Sequence, residues 1–191
     1  MDMAMPPLET DRLLIRPFID ADLPAVRAVL EVDGTDPATE RYVRHGGPNA
    51  AVLAALQQPP FGDRAVMLRA TGELIGLAGL VPAYGPFDQV RLKGDTLADD
   101  PPASLYRVEI GLLYHVHAGH RGRGYATEAA RALVDFAFGR LLLARIVATT
   151  DHDNVASQAV MLRLGMRLHQ NAREDPPWLQ VVGILENQRQ R

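Results

Sequence analysis

The sequence predicts an α/β domain, and three observations carry the prediction. Val108 to Val116 is an apolar, strand-like run that leads through a glycine-arginine turn into the strongest helical pattern of the chain, Thr127 to Gly139. Ala65 to Arg69 and Leu74 to Val81 are apolar runs joined by Ala70-Thr71-Gly72-Glu73, a hairpin signal. Further strand-like and helix-like segments lie on both sides of these, so the 191 residues read as a single domain, 1–191, with a core of its own.

Taken in order, Arg12 to Arg16 reads as a first strand stopped by Pro17. Asp20 is a candidate N-cap for a helix with Leu23, Val26, Val29 and Leu30 on one face, ended by Gly34 to Pro37. A second, weaker helix is expected from Asn49 to Gln58, between Gly46-Gly47-Pro48 and Pro59-Pro60. After the hairpin, whose Gly76 and Gly79 suggest a bulge or a close approach, residues 84–104 read as a surface-loop insertion. It either covers a substrate site, contacts another subunit or lacks order. Tyr106 to Val116 is then the central strand. The main helix has Ala126, Ala129, Ala130, Leu133, Val134, Ala137 and Phe138 as its core face, with Glu128 and Asp135 off it and Gly139 at its end. Ala144 to Thr149 is the next strand. A last helix runs from the Asp151 to Ser157 segment to Leu164, capped by Asn154 or Asp153 at its start and by Gly165 at its end. Arg167 to Asn171 and Trp178 to Glu186 close the sheet, with Trp178 read as core, the alternative being a wall of the acceptor pocket, and a frayed tail from Asn187.

Composition excludes several function classes. A net charge of −3 gives no global pull toward nucleic acid or anionic membrane. No apolar run approaches the ~20 residues of a membrane span, and Met1 to Pro7 lacks the pattern of a secretory signal. The absence of cysteine excludes disulfides, cysteine–zinc sites and a thiol nucleophile, and fits a cytoplasmic protein.

The candidate site is Gly119 to Glu128. Glycines at Gly122 and Gly124 let backbone approach a ligand, and the helix that follows offers free N–H groups and a positive dipole end. Arg121 and Arg123 add charge. Together these make an anion site suited to a phosphate or pyrophosphate; the alternative is a tight turn with two solvated arginines. The P-loop pattern fails for want of its lysine. The dinucleotide-binding pattern fails because Thr127 stands where a third glycine belongs and Asp135 lies inside the helix. Glu109 is a second candidate. A carboxylate in an apolar strand is expensive unless it faces a cleft or has a partner, and partial desolvation makes such a group a better base; the alternative is a solvent-facing or salt-bridged glutamate. His115, His117 and His120 lack a companion carboxylate at a useful offset, which leaves hydrogen-bonded or exposed histidines as the default, a proton relay in the acceptor cleft as the alternative, and no metal site.

Arg121-Gly122-Arg123-Gly124-Tyr125-Ala126 matches the Gln/Arg-x-x-Gly-x-Gly/Ala motif and so resembles the pyrophosphate loop of the GNAT N-acetyltransferase superfamily. The longer run through Thr127, Glu128 and Ala129 is similar to the subgroup that contains the ribosomal-protein N-terminal acetyltransferases. So are Asp151 to Ser157 with Val160 to Met166, and Leu8-Glu9-Thr10-Asp11-Arg12-Leu13-Leu14-Ile15-Arg16-Pro17. The resemblance implies an α/β (α+β) fold: a mixed, mostly antiparallel twisted sheet flanked by helices and splayed between two central strands. It implies acetyl-CoA as co-substrate, with CoA as product, and direct acetyl transfer to a primary amine, either a protein N-terminus or a small molecule. It assigns the pyrophosphate to Arg121, Gly122, Arg123, Gly124, Tyr125, Ala126 and Thr127, the thioester arm to backbone at Tyr114, His115 and Val116, with Leu113 as the alternative position, and the pantetheine amides to Asn154. Glu109 becomes the general base. The tyrosine acid of many relatives is replaced here by Met161 and Leu162, so Ser157, a water or unaided departure of the thiolate remains. Arg41, Tyr42, Arg44 and His45 either face the acceptor or lie on a solvated connector. A non-catalytic acyl-CoA-binding regulator and a nucleotide-binding α/β protein are the alternatives, and the oligomeric state is expected to be monomer or homodimer.

Overall fold

The computed structural model describes residues 4–32, 36–87, 106–171 and 177–188. The strands are β1 (Leu8–Glu9), β2 (Leu13–Arg16), β3 (Gly62–Leu68), β4 (Leu74–Gly85), β5 (Arg107–Val116), β6 (Arg145–Thr150), β7 (Arg167–Gln170) and β8 (Val181–Glu186). The helices are α1 (Leu23–Val29), α2 (Pro37–Ala55), α3 (Tyr125–Gly139) and α4 (Val155–Leu164). The strands hydrogen-bond in the order β1-β2-β3-β4-β5-β6-β8-β7. Pairing is antiparallel for β1 with β2, β2 with β3, β3 with β4, β6 with β8 and β7 with β8, and parallel for β5 with β6, registered at Gly111↔Val147. The sheet is therefore mixed and mostly antiparallel, as expected.

The chain divides into two compact units, Met1–Val81 with Leu112–Leu142, and Pro82–Gly111 with Leu143–Arg191. The first unit has a core of Phe18, Val26, Val29, Val43, Ala65, Leu74 and Leu77. In it α3 buries Ala129, Ala130, Leu133, Val134, Phe136 and Ala137; Phe136 takes the place expected of Phe138. The hairpin of β3 and β4 forms as read, with a register shift between Val66 and Met67. Gly76 and Gly79 are close approaches, since a Cβ at Gly76 would collide with the His115 carbonyl oxygen and one at Gly79 with that of Gly62.

Helix α2 corrects the sequence reading. It starts at Pro37, twelve residues before Asn49, and runs 19 residues straight through Gly46-Gly47-Pro48. Asp36 caps it, accepting from the N–H groups of Ala38 at 3.2 Å and Thr39 at 2.7 Å and from the Thr39 hydroxyl at 2.6 Å, and Pro37 is suited to the first turn. The two glycines are there for packing: a Cβ on Gly46 would stand 2.7 Å from the Phe18 ring, and one on Gly47 would strike the Phe18 carbonyl oxygen. The residue at the N-cap position of α1 is Asp22 and not Asp20, and its side chain caps no α1 N–H. The Asp22 carboxylate instead accepts from Ile19 N–H, ahead of a 3-10 turn at Asp20–Asp22, at 2.9 Å and from Arg16 at 2.7 and 2.8 Å.

In the second unit Phe87, Val147, Leu179, Val182 and Ile184 form a core. Helix α4 lies close on β8 at Gly183, where a Cβ would sit 3.0 Å from both Met161 Sδ and Met166 Sδ. Three expectations change here. Tyr84 and Gly85 belong to β4, so the strand outlasts the boundary expected at residue 84, and 88–104 of that loop lie outside the described residues. Trp178 is 43% exposed and not core; its ring edge lies against Gly85, where no Cβ would fit. Asn187 is anchored and not frayed, because its N–H donates to the Ala144 carbonyl at 2.8 Å and its side chain to that of Leu143 at 3.0 Å. Among the described residues no helix is long and apolar enough to cross a membrane.

Candidate active site

The end of β5 feeds the turn in the first unit. His117 N–H donates to the Ile75 carbonyl at 2.9 Å, and a short 3-10 turn, Ala118–His120, follows. Arg121 is extended, and its Nε donates back to the Val116 carbonyl at 2.9 Å. Gly122 has φ 76° and Gly124 φ 81°. Both lie in the left-handed region that side chains resist, which gives the glycines a conformational reason beyond close approach: a Cβ at Gly122 would meet open space. Gly124 is the N-cap of α3, and no side chain caps it. The first-turn N–H groups of α3, at Tyr125, Ala126 and Thr127, are thus left without a side-chain acceptor. The Arg123 guanidinium makes no hydrogen bond or ion pair among the described residues, whereas Arg121 also approaches Glu31 at 3.6 Å. The dipole end and the uncapped N–H groups thus lie at a turn that also carries the Arg123 charge.

Two residues that sequence reasoning left out complete this arrangement. Thr10 and Arg12 lie between β1 and β2, yet both bind Glu128 in the first turn of α3. The Thr10 hydroxyl donates to Glu128 Oε1 at 2.5 Å and Arg12 N–H to the same oxygen at 3.0 Å, while Arg12 Nε and Nη2 reach Oε2 at 2.6 and 2.5 Å. Partial burial alone would raise the Glu128 carboxyl, but the hydrogen bonds from Thr10 and Arg12 outweigh it and hold the group below the usual carboxylate range. Arg12 Nη1 donates to the Arg123 carbonyl at 3.0 Å, and its guanidinium lies over the Tyr125 ring, 4.5 Å from the centroid. The only sequence signal was the block from Leu8 to Pro17, which suggested a strand and nothing about the turn.

The histidines have structural partners. His115 Nε2 lies 2.9 Å from the Val29 carbonyl oxygen, His120 Nε2 is 3.0 Å from Glu73, and His117 Nδ1 accepts from Gly119 N–H at 3.3 Å. At Tyr114 to Val116 it is therefore backbone, not the His115 ring, that could meet a ligand. Among the described residues no group of three or more His, Asp or Glu is placed to hold a metal ion.

The second unit holds the remaining candidates. Glu109 is nearly enclosed, with its side chain 12% exposed, and forms a two-pronged pair with Arg145: Arg145 Nε donates to Oε2 at 3.0 Å and Nη2 to Oε1. That is the salt-bridged alternative left open for this residue. Asn154 is the N-cap of α4, accepting from Ser157 N–H at 3.0 Å. The turn before it is tied by Gln158, whose amide donates to the Asp151 and His152 carbonyls at 3.2 and 2.9 Å, and by Gln180, which accepts from His152 N–H at 2.8 Å. Ser157 sits half-buried in the first turn of α4, while Met161 is buried and Leu162 exposed. Tyr114, His115, Val116 and Arg121 to Thr127 thus fall in one unit, and Glu109, Asn154 and Ser157 in the other.

The profile of the acetyltransferase (GNAT) domain matches residues 12–167. The chain belongs to the GNAT acetyltransferases. The match begins at Arg12, the residue that grips the turn, and runs through both units. Relatives agree with it. The chain is similar to the uncharacterized N-acetyltransferase YoaA of Bacillus subtilis, 31% identical over 170 residues, 85% of this chain and 83% of that protein. It is similar to the crystal structure of an acetyltransferase from Agrobacterium tumefaciens, with 29% identity, 95% of each chain covered and a TM-score of 0.65. Its fold also matches a ribosomal-protein acetyltransferase, RimL, solved in complex with coenzyme A, at 17% identity, 92% and 93% coverage and a TM-score of 0.58. At that identity the likeness to RimL is one of fold. As a GNAT protein the chain is an acyltransferase, and its mixed sheet is that of the family.

Proposed function

We propose that this acyltransferase moves an acetyl group from acetyl-CoA to a primary amine, of a small molecule or a protein N-terminus, by direct transfer. The observation that carries the reading is the uncapped N-terminus of α3 behind two left-handed glycines, in a turn whose sequence carries Arg123 between them. N–H groups arranged this way fit a diphosphate. Acetyl-CoA supplies the acetyl group as an activated thioester. The turn from Arg121 to Thr127 binds and orients the diphosphate end, and the Asn154 amide, with its oxygen held in the α4 cap, keeps its NH₂ for a carbonyl of the pantetheine arm. Backbone at Tyr114 to Val116 aligns the thioester and offers an N–H to its carbonyl oxygen, where negative charge develops. As the amine nitrogen bonds to the acetyl carbon, the carbon–sulfur bond breaks and the amine loses a proton. Glu109 takes that proton, sharing an oxygen with Arg145 or acting through a water, because Arg145 engages both of its oxygens. Ser157 or a water returns a proton to the departing sulfur. No covalent enzyme intermediate is needed. The cysteine-free composition fits the cytoplasm.

Calorimetric titration with acetyl-CoA, CoA, ATP and NAD tests the reading, followed by turnover on a panel of amines with wild type and Glu109→Gln. Acetyl-CoA binds at micromolar concentration while ATP and NAD are silent, and the Gln variant binds equally well but turns over at least ~100-fold more slowly at neutral pH. Silence toward acetyl-CoA would overturn the cofactor, cofactor binding without turnover on any amine would overturn the transfer, and full turnover in the variant would remove Glu109 as the base.

A further inference from the structure

Arg12 is 111 residues from the carbonyl it holds and 116 from the carboxylate it pairs with, yet each of its three guanidinium nitrogens is engaged at the turn. Nη1 takes the Arg123 carbonyl at 3.0 Å, and Nε and Nη2 take Glu128 at 2.6 and 2.5 Å. The plane covers Tyr125 at 4.5 Å, and Nη2 would stand 3.6 Å from a Cβ on Gly124. One side chain therefore touches the turn and the first helical turn at residues 123, 124, 125 and 128.

Two physical consequences follow. In a trans peptide the carbonyl and the next N–H point in opposite directions. Drawing the Arg123 carbonyl to Arg12 therefore turns the Gly124 N–H away from Arg12, at a glycine already in the left-handed region. Glu128, meanwhile, is a negative charge in the first turn of α3, where it would compete with an incoming anion for the helix dipole and repel it. Arg12, helped by the Thr10 hydroxyl, neutralises that charge. Its own charge is taken up by Glu128, so it is not itself a ligand for phosphate; Arg123 is left for that.

We propose that Arg12 is the positioning residue of the anion turn: it holds the Arg123 carbonyl and cancels Glu128 so that the Gly124 N–H and the first-turn N–H groups of α3 are set for the diphosphate of CoA. The inference rests on the acetyl-CoA reading. A lysine at this position carries the charge without the fork, and a glutamine carries neither, so the pair separates geometry from charge.

The test is calorimetric titration of wild type, Arg12→Lys and Arg12→Gln with acetyl-CoA and with S-acetylpantetheine, which lacks the diphosphate, beside the unfolding temperature of each ligand-free protein. Both variants bind acetyl-CoA about tenfold or more weakly, the effect of losing one charge-assisted hydrogen bond, with Arg12→Gln the weaker, while affinity for S-acetylpantetheine equals that of wild type. An equal loss for both ligands would mean general damage to the fold and overturn the inference, as would unchanged affinity for acetyl-CoA in the variants while wild type binds. Wild type that binds neither acetyl-CoA nor CoA would overturn the acetyl-CoA reading itself, and the inference with it.

Discussion

Tyr42 donates its hydroxyl proton to Asp63 Oδ2, and the other oxygen, Oδ1, is buried with no hydrogen-bond partner among the described residues. Burial raises the Asp63 carboxyl and outweighs the lowering by the Tyr42 hydrogen bond. The Tyr42 hydroxyl is pushed up too, first by burial and then by the neighbouring Asp63 charge. A carboxyl raised in the folded state contributes stability that is full below its unfolded value and is lost as pH rises through the folded one. Asp63→Asn keeps an oxygen for Tyr42 and cannot ionise. Its unfolding temperature, taken relative to wild type, therefore rises between pH 3 and pH 8, and a difference that stays flat across that range would mean that Asp63 is not raised. No pattern near Asp63 announced this pair, because the tyrosine comes from α2, 21 residues earlier.

At the scale of elements, Gly47 is where local and tertiary signals collide. Local propensity reads Gly46-Gly47-Pro48 as a break, and a helix interior does disfavour both residue types. The helix persists because its glycines let it lie against Phe18, which joins the first unit's core with Val43 from the same helix. Gly47→Ala brings a methyl into the Phe18 carbonyl, which is backbone and cannot swing aside. It destabilises the protein by about 1–3 kcal/mol in denaturant unfolding, although alanine is the better helix former by about 1 kcal/mol; a stabilised variant would show that Phe18 does not pack there. The same contrast explains which elements the sequence revealed. The β3–β4 hairpin carries its own turn in Gly72, α4 its own caps in Asn154 and Gly165, and α3 its own period, so each was legible from neighbours in sequence. The start of α2 was hidden because its cap at Asp36 and its first residue Pro37 lie in the Gly34 to Pro37 stretch, which reads as the end of the preceding helix. The Glu109–Arg145 pair and the Arg12–Glu128 clamp join residues 36 and 116 positions apart, and no local pattern specifies either one.

At the scale of the whole molecule, the family was legible because its turn is contiguous from Arg121 to Thr127, whereas the residues assigned to its chemistry are scattered from Glu109 to Ser157. Their roles can be separated by where a ligand protects the chain. A ligand that binds only the native state adds RT ln(1 + [L]/Kd), about 2.7 kcal/mol at one hundred times Kd. For a chain of 191 residues that corresponds to a rise in unfolding temperature of about 5–10 °C with acetyl-CoA. Amide exchange read by mass spectrometry divides that gain by segment. Tyr125, Ala126 and Thr127 begin with N–H groups that no side chain caps, so they exchange fast in the free protein and slow with ligand. Ser157 N–H is already held by Asn154 and starts slower; further slowing there is the signature of a ligand that steadies the α4 cap. Slowing at the α3 start alone would keep the diphosphate site and remove Asn154 and Ser157 from it. A temperature rise with no slowing at the α3 start would place the ligand elsewhere, and the turn from Arg121 to Thr127 would revert to a structural corner held by Arg12.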